Sequence, residues 1–306
     1  MPQKVLLIDV DSRIPNLALM KLSTYYKMKG DEVGFNVQDP DIVYASVIFE
    51  ANKHKVDGLR FYYPSAEIHI GGSGYSLSSK LPDEVEKLKP DYSLYPDNDF
   101  SIGFSTRGCI RKCSFCIVPQ KEGAFQKVQH PEEWYNPEFK RIIFLDNNIL
   151  ADKKWFLEVA NWCIEKKLSV WFSSGFDIRL LDLEIASKLL EMKFFKGIFF
   201  AWDHIEDEAI IKEKIGILKE AGFSDSKLKD CVQFYVYVDN DSEYDSGVYR
   251  CRELKRLHCN AFVMFNIRNK PTSRINKLRR WANRKALFWS IDISGYDRSK
   301  KKVGGV

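Results

Sequence analysis

Short apolar runs rich in β-branched and aromatic residues recur along the chain, and most end in a cluster of small or polar residues. That alternation limits the possible folds more than any other feature. A run of about five such residues suits a strand buried on both faces, and a helical segment between runs suits a right-handed crossover. Val5–Asp9, Val33–Val37, Asp41–Phe49 and Ile68–Ile70 are the first four expected strands. A helix with one apolar face is expected from Asn16 to Lys29, with Gly30 placed to end it. Leu81 to Tyr95, in a stretch broken by Pro82, Pro90 and Pro96, reads as a connection.

The pattern then resumes. Six strands are expected, beginning at Ile102, Arg141, Leu168, Gly197, Val232 and Ala261. Helices are expected over Trp155–Lys166, Asp182–Met192, Glu206–Ala221 and Tyr249–Leu257. The fold class is therefore α/β. Ligands of such folds gather at the carboxyl ends of the strands. The polar clusters at those ends are site candidates: Asp146-Asn147-Asn148, then Ser173 to Arg179 with Asp177, then Asp203-His204, then Asp239. Asp and Asn also favour turns and helix N-caps, so each cluster has a plain structural reading beside the functional one.

Composition excludes several classes. Hydrophobic residues make up 45% of the 306 and aromatics 14%, enough for a substantial core. Met1-Pro2-Gln3-Lys4 leads straight into the first apolar run, so no signal peptide is expected. No stretch reaches the roughly eighteen apolar residues of a membrane span. A cytoplasmic protein with reduced cysteines is the expectation.

The chemistry concentrates at Cys109-Ile110-Arg111-Lys112-Cys113-Ser114-Phe115-Cys116, where three cysteines are spaced C-x3-C-x2-C. It follows the small, cationic approach Ser105-Thr106-Arg107-Gly108 at the end of an expected strand. Thiolates this close suit an iron–sulfur cluster, which normally takes four cysteines. Three local cysteines would leave one iron open. Structural zinc would need a fourth ligand, for which His130 is the nearest histidine.

The spacing resembles that of the radical S-adenosylmethionine (SAM) superfamily, for which C-x3-C-x2-C is the defining motif. The resemblance implies a [4Fe–4S] cluster on Cys109, Cys113 and Cys116, with SAM chelated at the open iron and an external flavodoxin- or ferredoxin-like electron donor. It implies a partial (β/α)6 TIM-type barrel over residues 99–270, matching the six strands. It places Phe115 near the adenine, the Asp146–Asn148 turn at the methionine ammonium group, and Ser173, Asp177 and Arg179 at the ribose and carboxylate. Residues 1–98 resemble the Rossmann-like, cobalamin-binding-type domain that precedes many such barrels. That family's Asp-x-His-x-x-Gly motif is absent. His54 and His69 lie outside any such context and read as surface or satisfied histidines, which leaves cobalamin an open question.

Cys163 reads as core. Cys231, Cys251 and Cys259 could hold an auxiliary cluster only with a spacing that matches no named motif. The segment 271–306 is a basic extension, in a run of cations that starts at Arg268 and includes Lys270, Arg274, Lys277, Arg279, Arg280, Arg284, Lys285, Arg298, Lys300, Lys301 and Lys302. An amphipathic helix with Trp281 and Phe288 packed inward explains it; a nucleic-acid contact is the other reading. The alternative to the enzyme is accordingly a non-catalytic iron–sulfur or zinc protein that binds nucleic acid through this segment.

Overall fold

A computed structural model describes residues 2–266 and 269–296. Arg268 and the terminal Arg298, Lys300, Lys301 and Lys302 lie outside the described residues. The chain divides into two compact units, Met1–Asn148 and Ile149–Val306.

The first unit opens with strand β1 (Lys4–Asp9), helix α1 (Leu17–Met28), β2 (Glu32–Gly34) and β3 (Ile42–Ser46). The short helix α2 (Leu59–Tyr62), β4 (Glu67–Gly71) and α3 (Asp83–Glu86) follow. The four strands form one parallel sheet in the order β2-β1-β3-β4. Alternation along β1 serves two faces. Val5 and Leu7 pack with Leu19, Leu22 and Tyr26 of α1, while Leu6 and Ile8 pack on the other side with Val43 and Ile68. Each fully buried aliphatic side chain contributes roughly 1.5–3 kcal/mol relative to an exposed one. Asn16 caps α1 by accepting from the Leu19 amide at 3.2 Å, and Gly30 follows the helix with φ +82°.

The unit ends with β5 (Phe100–Gly103), β6 (Thr106–Arg107), α4 (Val118–Lys121), β7 (Gln126–Lys127) and β8 (Arg141–Phe144). β5 and β8 run parallel, with Gly103 opposite Phe144. Trp134 packs so close to the end of β5 that a Cβ on Gly103 would lie 2.6 Å from its ring.

The second unit contains α5 (Lys153–Glu165), β9 (Ser169–Phe172), α6 (Leu183–Glu191), β10 (Lys193–Phe194) and β11 (Ile198–Ala201). It continues with α7 (Glu208–Glu220), α8 (Asp225–Cys231), β12 (Val232–Tyr237), α9 (Tyr244–Arg256), β13 (Asn260–Met264), α10 (Ser273–Ala282) and α11 (Lys285–Ser290). β9 pairs parallel with β10, and β11, β12 and β13 form a parallel sheet in that order. The α/β class with parallel sheets is thus what the chain adopts. No sheet closes on itself among the described residues.

All six strands expected from Ile102 onward are present. The connection expected over Leu81–Tyr95 contains a helical turn, α3, and α8 was not foreseen at all. Both are too short for the 3.6-residue period to show. Among the described residues, no helix is long and apolar enough to cross a membrane.

Candidate functional site

The cysteine loop follows the end of β5 within the first unit. Its neck is a two-residue antiparallel ladder that pairs Thr106 with Lys127 and Arg107 with Gln126. Between the two arms lie all three cysteines. Each is half-buried, and no cysteine among the described residues is in a disulfide. Cys109 Sγ accepts the backbone N–H of Arg111 at 3.3 Å, and Cys116 Sγ that of Val118 at 3.5 Å. The Cys116 amide donates to the Cys113 carbonyl at 3.1 Å, which turns the chain between those two cysteines. Phe115 is half-buried inside that turn.

The turn after β8 clamps this loop residue by residue. Asp146 is buried, and its carboxylate accepts from four donors: the Ser105 amide at 3.0 Å and hydroxyl at 2.6 Å, and the Thr106 amide at 2.7 Å and hydroxyl at 2.6 Å. Burial pushes its carboxyl above the usual carboxylate range, and those hydrogen bonds oppose the shift. Asn147 Oδ1 accepts from the Gly108 amide at 2.9 Å. Asn148, 3% exposed, donates its Nδ2 to Cys109 Sγ at 3.4 Å. Its Oδ1 is buried with no hydrogen-bond partner. A buried acceptor left unpaired costs on the order of 1–3 kcal/mol, so this oxygen is suited to a donor from a bound molecule.

Gly108 joins clamp and loop. It has φ +74°, and a Cβ there would lie 2.2 Å from the Ala124 carbonyl oxygen. We expect Gly108→Ala to destabilise the first unit by about 2–4 kcal/mol, combining a left-handed backbone with a backbone clash. Chemical denaturation of both proteins checks this, and a loss below about 1 kcal/mol would contradict the assigned strain.

A charge network anchors the loop from behind. Arg107 donates to Glu86 Oε1 at 2.6 Å and to Glu122 Oε2 at 2.8 Å, with its guanidinium 3.9 Å from the Phe104 ring centroid. Lys21, buried on α1, donates to the same Glu86 oxygen at 2.9 Å and also to the Glu86 carbonyl. Two cations and two carboxylates thus link α1, α3 and the cysteine loop. Burial alone would raise the Glu86 carboxyl, but Arg107 and Lys21 outweigh it and hold the group below its ordinary 4.5. A depressed folded-state pKa adds stability above the unfolded value and loses it as pH falls through the folded one. The stabilisation that wild type holds over Glu86→Gln is therefore expected to be full near neutrality and to shrink once pH drops below 4.5. Melting temperatures of the two proteins across that range test it; a constant gap would remove Glu86 as the responsible group.

Nothing in the sequence marks this network, because its members are scattered from position 21 to position 122. Arg107 was legible only as a cation before the first cysteine. His130 has its Nδ1 engaged by the Glu132 amide at 3.3 Å, as the cap of a short 3-10 turn. His69 stacks on Tyr44 with centroids 4.7 Å apart and pairs with Glu67, and His54 is exposed.

Among the described residues, no three His, Cys, Asp or Glu side chains are already gathered to hold a metal ion. The donor set of the loop nevertheless suits a group that takes three thiolates. Three thiols share eight residues, with Arg111 and Lys112 among them, and Cys109 Sγ and Cys116 Sγ accept backbone N–H groups. Ligation would draw together side chains already confined by the neck and the clamp.

The second unit has its own polar strand ends. Asp177 accepts from Arg179 Nε at 2.7 Å and from the Arg179 amide at 3.3 Å, and Ser173 is half-buried just past β9. Asp203 accepts from the Tyr237 amide at 3.3 Å, and burial pushes its carboxyl up. Arg250, 2% exposed, donates to the carbonyls of Trp202, Asp203 and Tyr237 at 2.7, 2.8 and 3.0 Å. It ties the ends of β11 and β12 together, a role that its mid-helix position in the sequence does not reveal. Asp239 accepts from the Asn266 amide at 3.2 Å and from Asn269 Nδ2 at 3.0 Å. Cys163, Cys251 and Cys259 are buried, and burial raises all three thiols.

No protein-family model and no curated protein matches this chain.

Proposed function

We propose that the protein is a radical SAM enzyme, with Cys109, Cys113 and Cys116 as the thiolate ligands of one [4Fe–4S] cluster. When bound, the cluster supplies the electron that cleaves SAM to methionine and a 5′-deoxyadenosyl radical, which takes a hydrogen atom from a substrate. The observation that carries the reading is the position of Asn148. Its amide nitrogen donates to Cys109 Sγ while its carbonyl oxygen is buried without a partner. A donor bound beside the first cysteine would satisfy that oxygen, and the ammonium group of SAM has the right chemistry.

The other residues of the turn do different work. Asp146 and Asn147 spend their oxygens on holding the loop entry, so Asn148 is the member left for a ligand. Phe115 offers an aromatic face between two ligands. Backbone N–H groups donate to Cys109 Sγ and Cys116 Sγ, as they would to ligating thiolates. The strand–helix order from Phe100 onward supports the partial (β/α)6 barrel that the resemblance carries with it.

The test is anaerobic. The protein is rebuilt with iron and sulfide, reduced and given SAM, and 5′-deoxyadenosine is measured by mass spectrometry. Its formation is the expected result. A loaded, reduced protein that neither cleaves nor binds SAM would overturn the reading.

A further inference from the structure

The stretch from Leu254 to Ile291 contains ten Lys and Arg and no Asp or Glu. Without it, the chain's formal charge of +5 would be negative. Elsewhere the second unit pairs several of its cations with carboxylates. Lys212 pairs with Glu208 and Glu253, Lys188 with Glu191, Lys219 with Asp225, and Arg252 makes two hydrogen bonds to Asp292.

Helix α10 groups cations that are not so paired. Ile275, Leu278, Trp281 and Ala282 are its buried face, against β13. On the opposite side, at helical spacing, stand the half-buried Lys277 and Arg280, with the exposed Arg284 just past the helix end. Among the described residues, none of these three has a carboxylate within ion-pair distance. At the sides of this ridge, Arg274 rests 4.2 Å from the Tyr244 ring centroid and Arg279 4.9 Å from that of Phe265.

We infer that this ridge of the second unit is a contact surface for a nucleic-acid phosphate backbone. Like charges three or four residues apart repel by a few tenths of a kcal/mol on a helix, and a polyanion turns that cost into attraction. A protein partner would need an apolar anchor at the centre of its interface. None of the exposed large hydrophobic side chains lies on α10 or α11. Trp289 is already occupied, with Lys229 4.4 Å from its ring centroid and its Nε1 donating to Asn260 at 2.8 Å. The surface therefore offers charge without a stacking platform, which gives binding to phosphates with little base preference. None of these residues belongs to the cysteine loop, so the ridge stands whatever that loop binds.

The test measures binding of the full chain to labelled single-stranded RNA, single-stranded DNA and duplex DNA of mixed sequence, from about 50 to about 200 mM salt. Wild type is expected to bind, with an affinity that falls steeply as salt rises. A Lys277→Gln, Arg280→Gln, Arg284→Gln variant is expected to bind about tenfold or more weakly and to lower the single-strand salt slope by about 2, at roughly 0.7 for each phosphate no longer neutralised. A Lys154→Gln, Lys193→Gln, Lys196→Gln variant, which neutralises exposed cations elsewhere in the same unit, keeps the wild-type slope. Should the first variant lose its fold, Arg280→Lys, Arg284→Lys preserves the charge and must preserve the slope. The ranking of the three polymers names the natural class. Absence of wild-type binding at low salt, binding of an acidic protein alone, or an unchanged slope in the ridge variant would each overturn the inference.

Discussion

Replacing Cys109, Cys113 and Cys116 together by alanine is expected to abolish iron–sulfur loading and to reduce 5′-deoxyadenosine to background. The three thiols are the only sulfurs on the loop, so the variant has no ligand left there. Each single Cys→Ala variant should fail as well, since a cluster with two local thiolates has lost the ligation that leaves one iron open for SAM. The loop's fold should outlast the change. Its neck is held by a backbone ladder and its entry by Asp146 and Asn147, none of which uses a cysteine side chain. The triple variant should therefore melt close to wild type when both are metal-free. Iron and sulfide bound at wild-type stoichiometry by the triple variant would place the cluster elsewhere and remove the basis of the proposed function.

Asp146→Ala is expected to carry the largest stability cost. It strands four donors in a site with almost no solvent, two amides and two hydroxyls. An unsatisfied buried donor costs on the order of 1–3 kcal/mol, and hydroxyls can turn toward other partners, so a net loss of roughly 3–5 kcal/mol is expected. Asp146→Asn keeps the volume but presents an NH2 group to donors, and should fall between the two. Urea denaturation reads the stability. Limited proteolysis between Ser105 and Lys127 reads the loop, which should be cut faster in the alanine variant. An alanine variant within about 1 kcal/mol of wild type would show that the clamp does not hold the loop.

The difference between Asp146 and Asn148 shows where sequence reasoning stops. Both sit in one polar turn at one strand end, and residue type alone makes them equivalent ligand candidates. Asp146 is saturated by the loop entry, whereas Asn148 keeps an unpaired oxygen beside Cys109. The pair Asp177–Arg179 is similar: its spacing suits a ligand contact, and its side chains bond one another. Glu86 had no legible role, although it joins Lys21 to Arg107.

The basic stretch divides the same way. Its periodicity announced an amphipathic helix, and Trp281 and Phe288 are indeed buried, with ring centroids 5.0 Å apart. Which cations stay unmatched depended on the placement of Asp230 and Asp245, distant in sequence.

By itself the sequence determined the α/β class, the main strands and the cysteine spacing. These depend on local pattern: apolar runs, helical period and the reach of neighbouring side chains along one loop. Only the tertiary structure decided which polar groups are consumed in holding the loop and which remain for chemistry. Hydrogen bonds and ion pairs act over a few ångströms in space, and the partners here are tens of residues apart along the chain.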